Sequence, residues 1–129
     1  MAGNQTRFQE AMKQATSAAW DGAWSKAADY YRQALQEMPN HPVALSNLGL
    51  ALYEMHNYKD ALPVYQKAIG ISPSDPVIMD KIADLQERLG NYNAAISASL
   101  KAAELHAQNR DVPKAIECWK RVIRINPLH

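Results

Sequence analysis

Four histidines and one cysteine are among the side chains of this sequence that could bind a metal ion or act as nucleophiles. Their spacing does not place two ligands on one helical face, so we expect the histidines to be solvated or helix-capping side chains. Cys118 adjoins Trp119 in an apolar stretch, which predicts a small buried residue and not a nucleophile. The histidines are His41, His56, His106 and His129.

Motifs of enzymatic chemistry are missing from the sequence. It contains no glycine-rich phosphate loop, no H-E-x-x-H zinc motif and no G-x-S-x-G nucleophile motif. The single cysteine excludes an internal disulfide framework and any site built from several thiolates. We therefore expect a protein without catalytic activity, without a cofactor and without a bound metal.

The charge balance argues against two classes of partner. The 14 Lys and Arg residues against 13 Asp and Glu give a net charge of +1, which offers no electrostatic basis for binding nucleic acid or an anionic membrane. No run approaches the length of a membrane span, and the N-terminus lacks the apolar core of a signal peptide. We expect a cytoplasmic protein whose residues 1–129 form one domain.

A period of 34 residues runs through the sequence and indicates the elements that must position any functional side chain. Self-similarity at a fixed period is typical of repeat proteins. Within each period the apolar residues recur every three or four positions, as on one face of an amphipathic helix. We predict an all-α chain in which each period forms a helical hairpin. The columns in register include Ala27, Ala61 and Ala95, then Ala34, Ala68 and Ala102, then Trp24, Tyr58 and Tyr92.

Prolines and turn residues set the helix boundaries. Pro42 and Pro76 suit the first turn of a helix, where a missing N–H costs little. Asn40 and the pair Ser74 and Asp75 are predicted to cap the helices that follow them. Glycine and asparagine tolerate the left-handed conformation of a helix end, which places turns at residues 21–23, 56–57 and 90–91. We predict helices near residues 5–20, 24–37, 42–54, 58–70, 76–89, 93–108 and 112–125.

The repeated residues resemble the tetratricopeptide repeat, a family of helix-turn-helix units of 34 residues. The middle copy is the best match, because Gly49, Ala61, Tyr65 and Pro73 stand at its small, aromatic and proline positions. The resemblance implies a right-handed α-solenoid of stacked hairpins. The copies are assigned to residues 8–41, 42–75 and 76–109, with a partial, overlapping fourth at 96–129.

The third copy departs from the pattern in a way that predicts a shared helix. It has Ser99 in place of the aromatic residue and Ala107 in place of the proline. Ala115 has the offset of a fourth copy but follows Ala95 by only 20 residues. We infer that the helix near 93–108 belongs to two hairpins and packs on both sides, for which small residues are needed. Its alanines are Ala94, Ala95, Ala98, Ala102, Ala103 and Ala107.

The resemblance also implies a function, that of a scaffold that binds a peptide or protein segment in a concave groove. In stacked hairpins the first helix of each repeat lines that groove. The register of the family places Asp80 and Glu87 of the third copy among the inward positions. Met12 and Thr16 replace the lysine and asparagine of the carboxylate clamp found in co-chaperone members, so the resemblance does not extend to that clamp. The candidate groove residues by register are Lys13, Trp20, Asn47, Leu50, Tyr53, Lys81, Asp84 and Arg88.

These groove candidates differ in chemistry. Asn47 carries an amide donor and acceptor, and in the family this position often holds a peptide backbone. Lys13, Lys81 and Arg88 are either contacts for a carboxylate or acidic side chain, or solvated surface cations. Tyr53 is expected to be exposed as an apolar anchor, while Trp20 is either such an anchor or part of the core.

The last helix presents a second candidate surface. Its apolar residues span about half of the helix circumference, which one neighbouring helix cannot cover. Arrays of the family usually end in a polar-backed helix, and the sequence ends without one. The chain is then either a fragment of a longer protein or covered by another chain, so an assembly module and the regulatory arm of a longer enzyme are alternative functions. The candidate docking residues are Ile116, Trp119 and Ile123.

Overall fold

The computed structural model describes residues 4–128, which form seven α-helices joined by short turns. No strand occurs within this range, and the all-α prediction is confirmed with each helix end within one residue of its predicted position. None of these helices combines the length and apolar character needed to cross a membrane. His129 lies outside the described residues. The helices are α1 (Gln5–Trp20), α2 (Trp24–Glu37), α3 (Pro42–Glu54), α4 (Tyr58–Ile71), α5 (Pro76–Arg88), α6 (Tyr92–Gln108) and α7 (Val112–Ile125).

Side chains at the helix starts accept hydrogen bonds from first-turn amides. Asp75 accepts two such bonds at the start of α5, at 2.9 and 3.3 Å, as predicted. The prediction for α3 is wrong, because Nδ1 of His41 and not the side chain of Asn40 accepts from the Ala44 amide, at 3.4 Å. Since Pro42 is the first residue of α3, the capping position falls on the residue directly before it.

A residue with positive φ follows each of four helices by two positions. Gly22 and Gly90 have φ values of 72° and 83°, as their lack of a β-carbon permits. In the turn after α3 the left-handed residue is His56, with φ of 59°, and not Asn57 as the sequence suggested. Arg110 occupies the same place after α6 with φ of 61°. The turn geometry is therefore set by distance from the helix end and overrides residue preference.

The described chain divides into two compact units, the first ending at Ile71 and the second beginning at Ser72. In the first unit α2 packs against α1 and α3, and α3 packs against α4. Its core includes a cluster of buried residues from α1, α2 and α3, with the Phe8 ring 4.6 Å from the ring of His41. The buried members of the cluster are Phe8, Ala11, Ala34 and Ala44.

In the second unit α6 packs against both α5 and α7, which confirms the prediction that this helix has two neighbours. Its small residues allow both contacts, since Ala95, Ala98, Ala102 and Ala103 are all buried. The expectation that every alanine of α6 serves this purpose is wrong. Two of them lie off the buried stripes and are exposed, namely Ala94 and Ala107.

Gly49 marks the closest approach of α3 to α4 and carries a stability prediction. A β-carbon at position 49 would lie 2.7 Å from Cε2 of the buried Tyr65 ring. Overpacking a core usually costs about 1–3 kcal/mol. Gly49→Ala is therefore expected to lower the free energy of unfolding by about that amount, measured by urea denaturation.

Gly70 supplies the matched control for this substitution. It also lies in a helix, α4, but a β-carbon there would meet nothing within 4 Å. Alanine restricts the unfolded chain more than glycine, so Gly70→Ala should raise the free energy of unfolding by about 0.5–1 kcal/mol. A loss of stability in both variants, or in neither, would contradict the packing described for Gly49.

Candidate functional site

The face of α3 opposite its buried residues carries three of the residues selected by sequence. Asn47, Leu50 and Tyr53 are half-buried and span about 120° of the helix, at about 100° per residue. The opposite side of α3 carries its buried residues, among them Leu45, Leu48 and Leu52. The core contacts therefore turn the amide, the leucine and the tyrosine outward together.

Asn47 has its hydrogen-bonding capacity available. No hydrogen bond joins its side chain to any other residue that the structure describes. An amide offers one acceptor and two donor hydrogens, which matches the alternating groups of an extended backbone. The position and chemistry of this side chain suit peptide recognition.

Tyr53 is held in place by neighbouring aromatic rings. Its ring meets Tyr58 edge to face, with centroids 5.5 Å apart and planes at 62°. The Tyr58 hydroxyl is 2.6 Å from Nδ1 of His56. Burial raises the pKa of the nearby Tyr65 phenol, and the negative charges of ionised Tyr53 and Glu54 raise this pKa further. Tyr53 thus presents a partly exposed aromatic surface at the end of α3.

On α1, the two candidates are both exposed. Trp20 is 86% exposed at the end of the helix, which excludes the core position left open by its sequence. Its ring borders a surface pocket of about 290 Å³ that Thr16, Ala19 and Trp24 complete. Lys13 is also exposed and lies three residues before Thr16, the first residue of this pocket. Trp20 is the large apolar side chain of α1 available to a partner.

The candidate residues of α5 belong to the second unit. Lys81 and Asp84 are half-buried, and Arg88 is exposed. Nε of Arg88 donates to the Asp84 carboxylate at 3.2 and 3.3 Å. The charge of Arg88, one of the cations that the sequence offered as contacts for a carboxylate, is therefore offset by Asp84 on the same helix.

A buried polar cluster in the second unit was missed by the sequence analysis. His106 is 2% exposed, with Nε2 2.6 Å from Oδ2 of Asp80, so the prediction of a solvated or capping side chain is wrong for this histidine. His106 lies four residues after Ala102 on a buried stripe of α6, because a helix with two neighbours buries more of its circumference. That position is the signal that could have revealed it.

Cys118 completes this cluster. Its thiol donates to Oδ1 of Asp80 at 3.2 Å, and its burial confirms the sequence prediction. Burial is the larger cause and the hydrogen bond to Asp80 the next, and together they raise the pKa of the thiol to about 12. The free thiol is therefore protonated at neutral pH and is a poor nucleophile.

Further ion pairs connect α5 to α7. The Glu87 carboxylate accepts from Nη2 of Arg124, with both oxygens at 2.7 Å, and Nε of Arg121 lies 3.7 Å from it. Glu87 was assigned by register to the groove, but its charge is directed at α7. It therefore contributes to the packing of these helices.

Part of the apolar surface of α7 remains exposed. Ala115, Cys118 and Val122 are buried, whereas the docking candidates Ile116, Trp119 and Ile123 are 41%, 44% and 56% exposed. The buried residues lie on the side where α7 packs against α6. The rest of the apolar arc forms a surface of exposed large side chains.

Models of the tetratricopeptide repeat match residues 42–75 and 78–109, just over half of the chain. The chain belongs to the tetratricopeptide repeat family. Among curated proteins, human tetratricopeptide repeat protein 7B is 26% identical over 95 residues, and tetratricopeptide repeat protein 21B of Xenopus laevis is 33% identical over 91 residues. These matches cover 74% and 70% of this chain but only 11% and 7% of those proteins.

Solved structures share the fold at low sequence identity. The TPR2B domain of yeast Sti1, in a complex with pHsp70, has a TM-score of 0.82 at 18% identity and covers 97% of this chain and all of that one. PcrH in complex with the chaperone binding region of PopD has a TM-score of 0.85 at 15% identity, covering 96% of this chain and 94% of that one. These likenesses show that the chain has the fold of a tetratricopeptide repeat domain.

Proposed function

We propose that this tetratricopeptide repeat domain is a non-catalytic interaction module that binds an extended peptide segment of a partner protein. The observation that carries this proposal is the outward face of α3, where the Asn47 amide, which has no hydrogen bond to any described residue, lies beside Leu50 and Tyr53. Two solved structures that share the fold are complexes, one of the Sti1 TPR2B domain with pHsp70 and one of PcrH with the chaperone binding region of PopD. Both lines of support point to binding and neither to catalysis.

The chemistry of this face defines the peptide that it would bind. The Asn47 amide pairs with a backbone whatever its side chains, so it provides affinity without sequence preference. Leu50 and Tyr53 provide an apolar surface for one or two aliphatic or aromatic side chains of the peptide. Trp20 on α1 is a further anchor, since its exposed ring can bury a large area at low entropy cost.

Charged groups have a smaller part in the proposed interaction. Lys13 on α1 is exposed and can meet an acidic side chain of the peptide. Arg88 is already paired with Asp84, and exposed ion pairs contribute about 0–1 kcal/mol. Since the net charge is only +1, we expect selection by apolar anchors and weak dependence on salt.

Selection from a random peptide library followed by hydrogen exchange tests this proposal. Displayed peptides are selected on the whole chain, and the amide exchange of the free and the bound protein is compared. We expect protection in α3 and α1. Failure to recover any peptide, or protection confined to α7, would overturn the proposal.

A second candidate function is self-association through the exposed residues of α7. The solvent exposure of Ile116, Trp119 and Ile123 favours it. Apolar patches of this kind often mark interaction sites. Light scattering at several concentrations tests it, with Ile123→Glu as the variant that places a charge in the patch. A mass that stays monomeric at every concentration rejects self-association, and a dimer that persists in Ile123→Glu rejects this surface.

A further inference from the structure

Three potential metal ligands converge in the second unit from three different helices. Asp80 of α5, His106 of α6 and Cys118 of α7 each offer one ligand atom, and these atoms lie within 4.8 Å of one another. His106 and Cys118 are buried, and Asp80 is half-buried. The packing of α6 between α5 and α7 is what brings together residues that are 26 and 38 positions apart.

We propose that Asp80, His106 and Cys118 form a binding site for one Zn²⁺ ion. The set offers one oxygen, one imidazole nitrogen and one sulfur, all of which zinc accepts, at about 2.0–2.3 Å from the ion. A thiolate with an imidazole favours zinc over magnesium and calcium, which prefer oxygen ligands alone. This proposal does not rest on the proposed peptide binding.

The distances in the cluster suit one shared ion. Asp80 is central, with Oδ2 2.6 Å from Nε2 of His106 and Oδ1 3.2 Å from Sγ of Cys118. These separations are those of hydrogen bonds. Small side-chain rotations would widen them to the distances between ligand atoms that share one zinc ion. On binding, the thiol releases its proton to solvent, and bonds to the metal replace the two hydrogen bonds to Asp80.

A route to the cluster exists at the surface of the second unit. A pocket of about 200 Å³ is lined by Asp80 and Cys118, with Glu117, Lys114 and Arg121 on its remaining sides. A water molecule or the Glu117 carboxylate can take the fourth coordination position from this pocket. The cations beside it are partly balanced, because Lys114 lies 3.9 Å from the Asp111 carboxylate and Arg121 lies 3.7 Å from that of Glu87.

Titration of the whole chain with a zinc salt alone tests the proposal by calorimetry, and Co²⁺ serves as the spectroscopic probe. We expect one ion per chain and a thiolate-to-cobalt charge-transfer absorption. Cys118→Ser retains a hydroxyl that can donate to Asp80, so the fold is kept while the thiolate is lost. Its zinc affinity should fall by at least about tenfold, and the charge-transfer absorption should disappear.

Two further variants keep the outcome decisive. Asp80→Asn retains volume and hydrogen bonding and should also weaken binding by at least about tenfold. His56→Gln removes an exposed histidine of the first unit and should leave zinc affinity unchanged. Circular dichroism checks that each variant is folded. Lack of zinc binding by the unmodified chain, or binding that Cys118→Ser leaves unchanged, would overturn the proposal.

Discussion

Ala102→Leu is expected to lower the free energy of unfolding by about 1–3 kcal/mol, the usual cost of inserting side-chain volume into a packed core. Ala102 is fully buried in a cluster with Ala103 and Cys118, against which Met79 of α5 packs. Because α6 has a neighbour on either side, displacing one helix to accommodate leucine disturbs contacts with the other. Urea denaturation followed by circular dichroism measures the loss.

A leucine elsewhere on the same helix supplies the control. Ala94 is exposed on α6, and leucine has nearly the helix propensity of alanine, so Ala94→Leu should change stability by less than about 0.5 kcal/mol. Equal losses in the two variants would mean that the helix responds to leucine itself. No loss at position 102 would contradict the two-sided packing of α6.

Asp80→Ala is the second substitution with a large expected effect. It removes the acceptor of the buried Cys118 thiol and the partner of Nε2 of His106. A buried polar group left without its partner costs about 1–3 kcal/mol, so we expect a loss of stability in that range. Thermal and urea denaturation in the presence of a chelator exclude any contribution from a bound metal.

Two comparisons assign this loss to the buried contacts. Asp80→Asn keeps an oxygen acceptor and nearly the same volume, so it should recover a large part of the lost stability. Asp29→Ala breaks an exposed ion pair with Arg32 on α2 and should cost less than about 0.5 kcal/mol. If Asp80→Ala costs no more than Asp29→Ala, water from the adjoining pocket replaces the carboxylate and the cluster does not stabilise the unit.

The helices could be predicted from sequence because their determinants are local. The apolar spacing, the prolines at 42 and 76 and the aspartate at 75 act within a few residues, and the helix ends followed them closely. The two local errors have local causes. The cap moved to His41 because Pro42 opens α3, and the positive φ moved to His56 because the turn geometry places it there.

The polar cluster could not be predicted because it depends on packing between helices. Asp80 carried the register position of a groove residue, and His106 was one of four scattered histidines. Their contact arises because α6 turns one side to α5 and another to α7, which spacing along one helix does not reveal. The exposure of Trp20 could not be predicted for the same reason. A tryptophan at a helix end can be buried or exposed, and the packing of neighbouring helices decides which.

The outward face of α3 is proposed to bind a peptide, and one affinity comparison tests this binding most directly. A peptide selected on the unmodified chain is titrated against Asn47→Ala/Tyr53→Ala and against Gln66→Ala/Lys67→Ala, a pair on the exposed surface of α4. Circular dichroism establishes that both variants are folded before their affinities are compared.

Removing one dominant contact of an interface costs about 2 kcal/mol, which corresponds to about thirtyfold in affinity. We predict that Asn47→Ala/Tyr53→Ala weakens peptide binding by at least about that factor, while the α4 pair binds as the unmodified chain does. Equal affinity of the folded Asn47→Ala/Tyr53→Ala variant and the unmodified chain would contradict the claim.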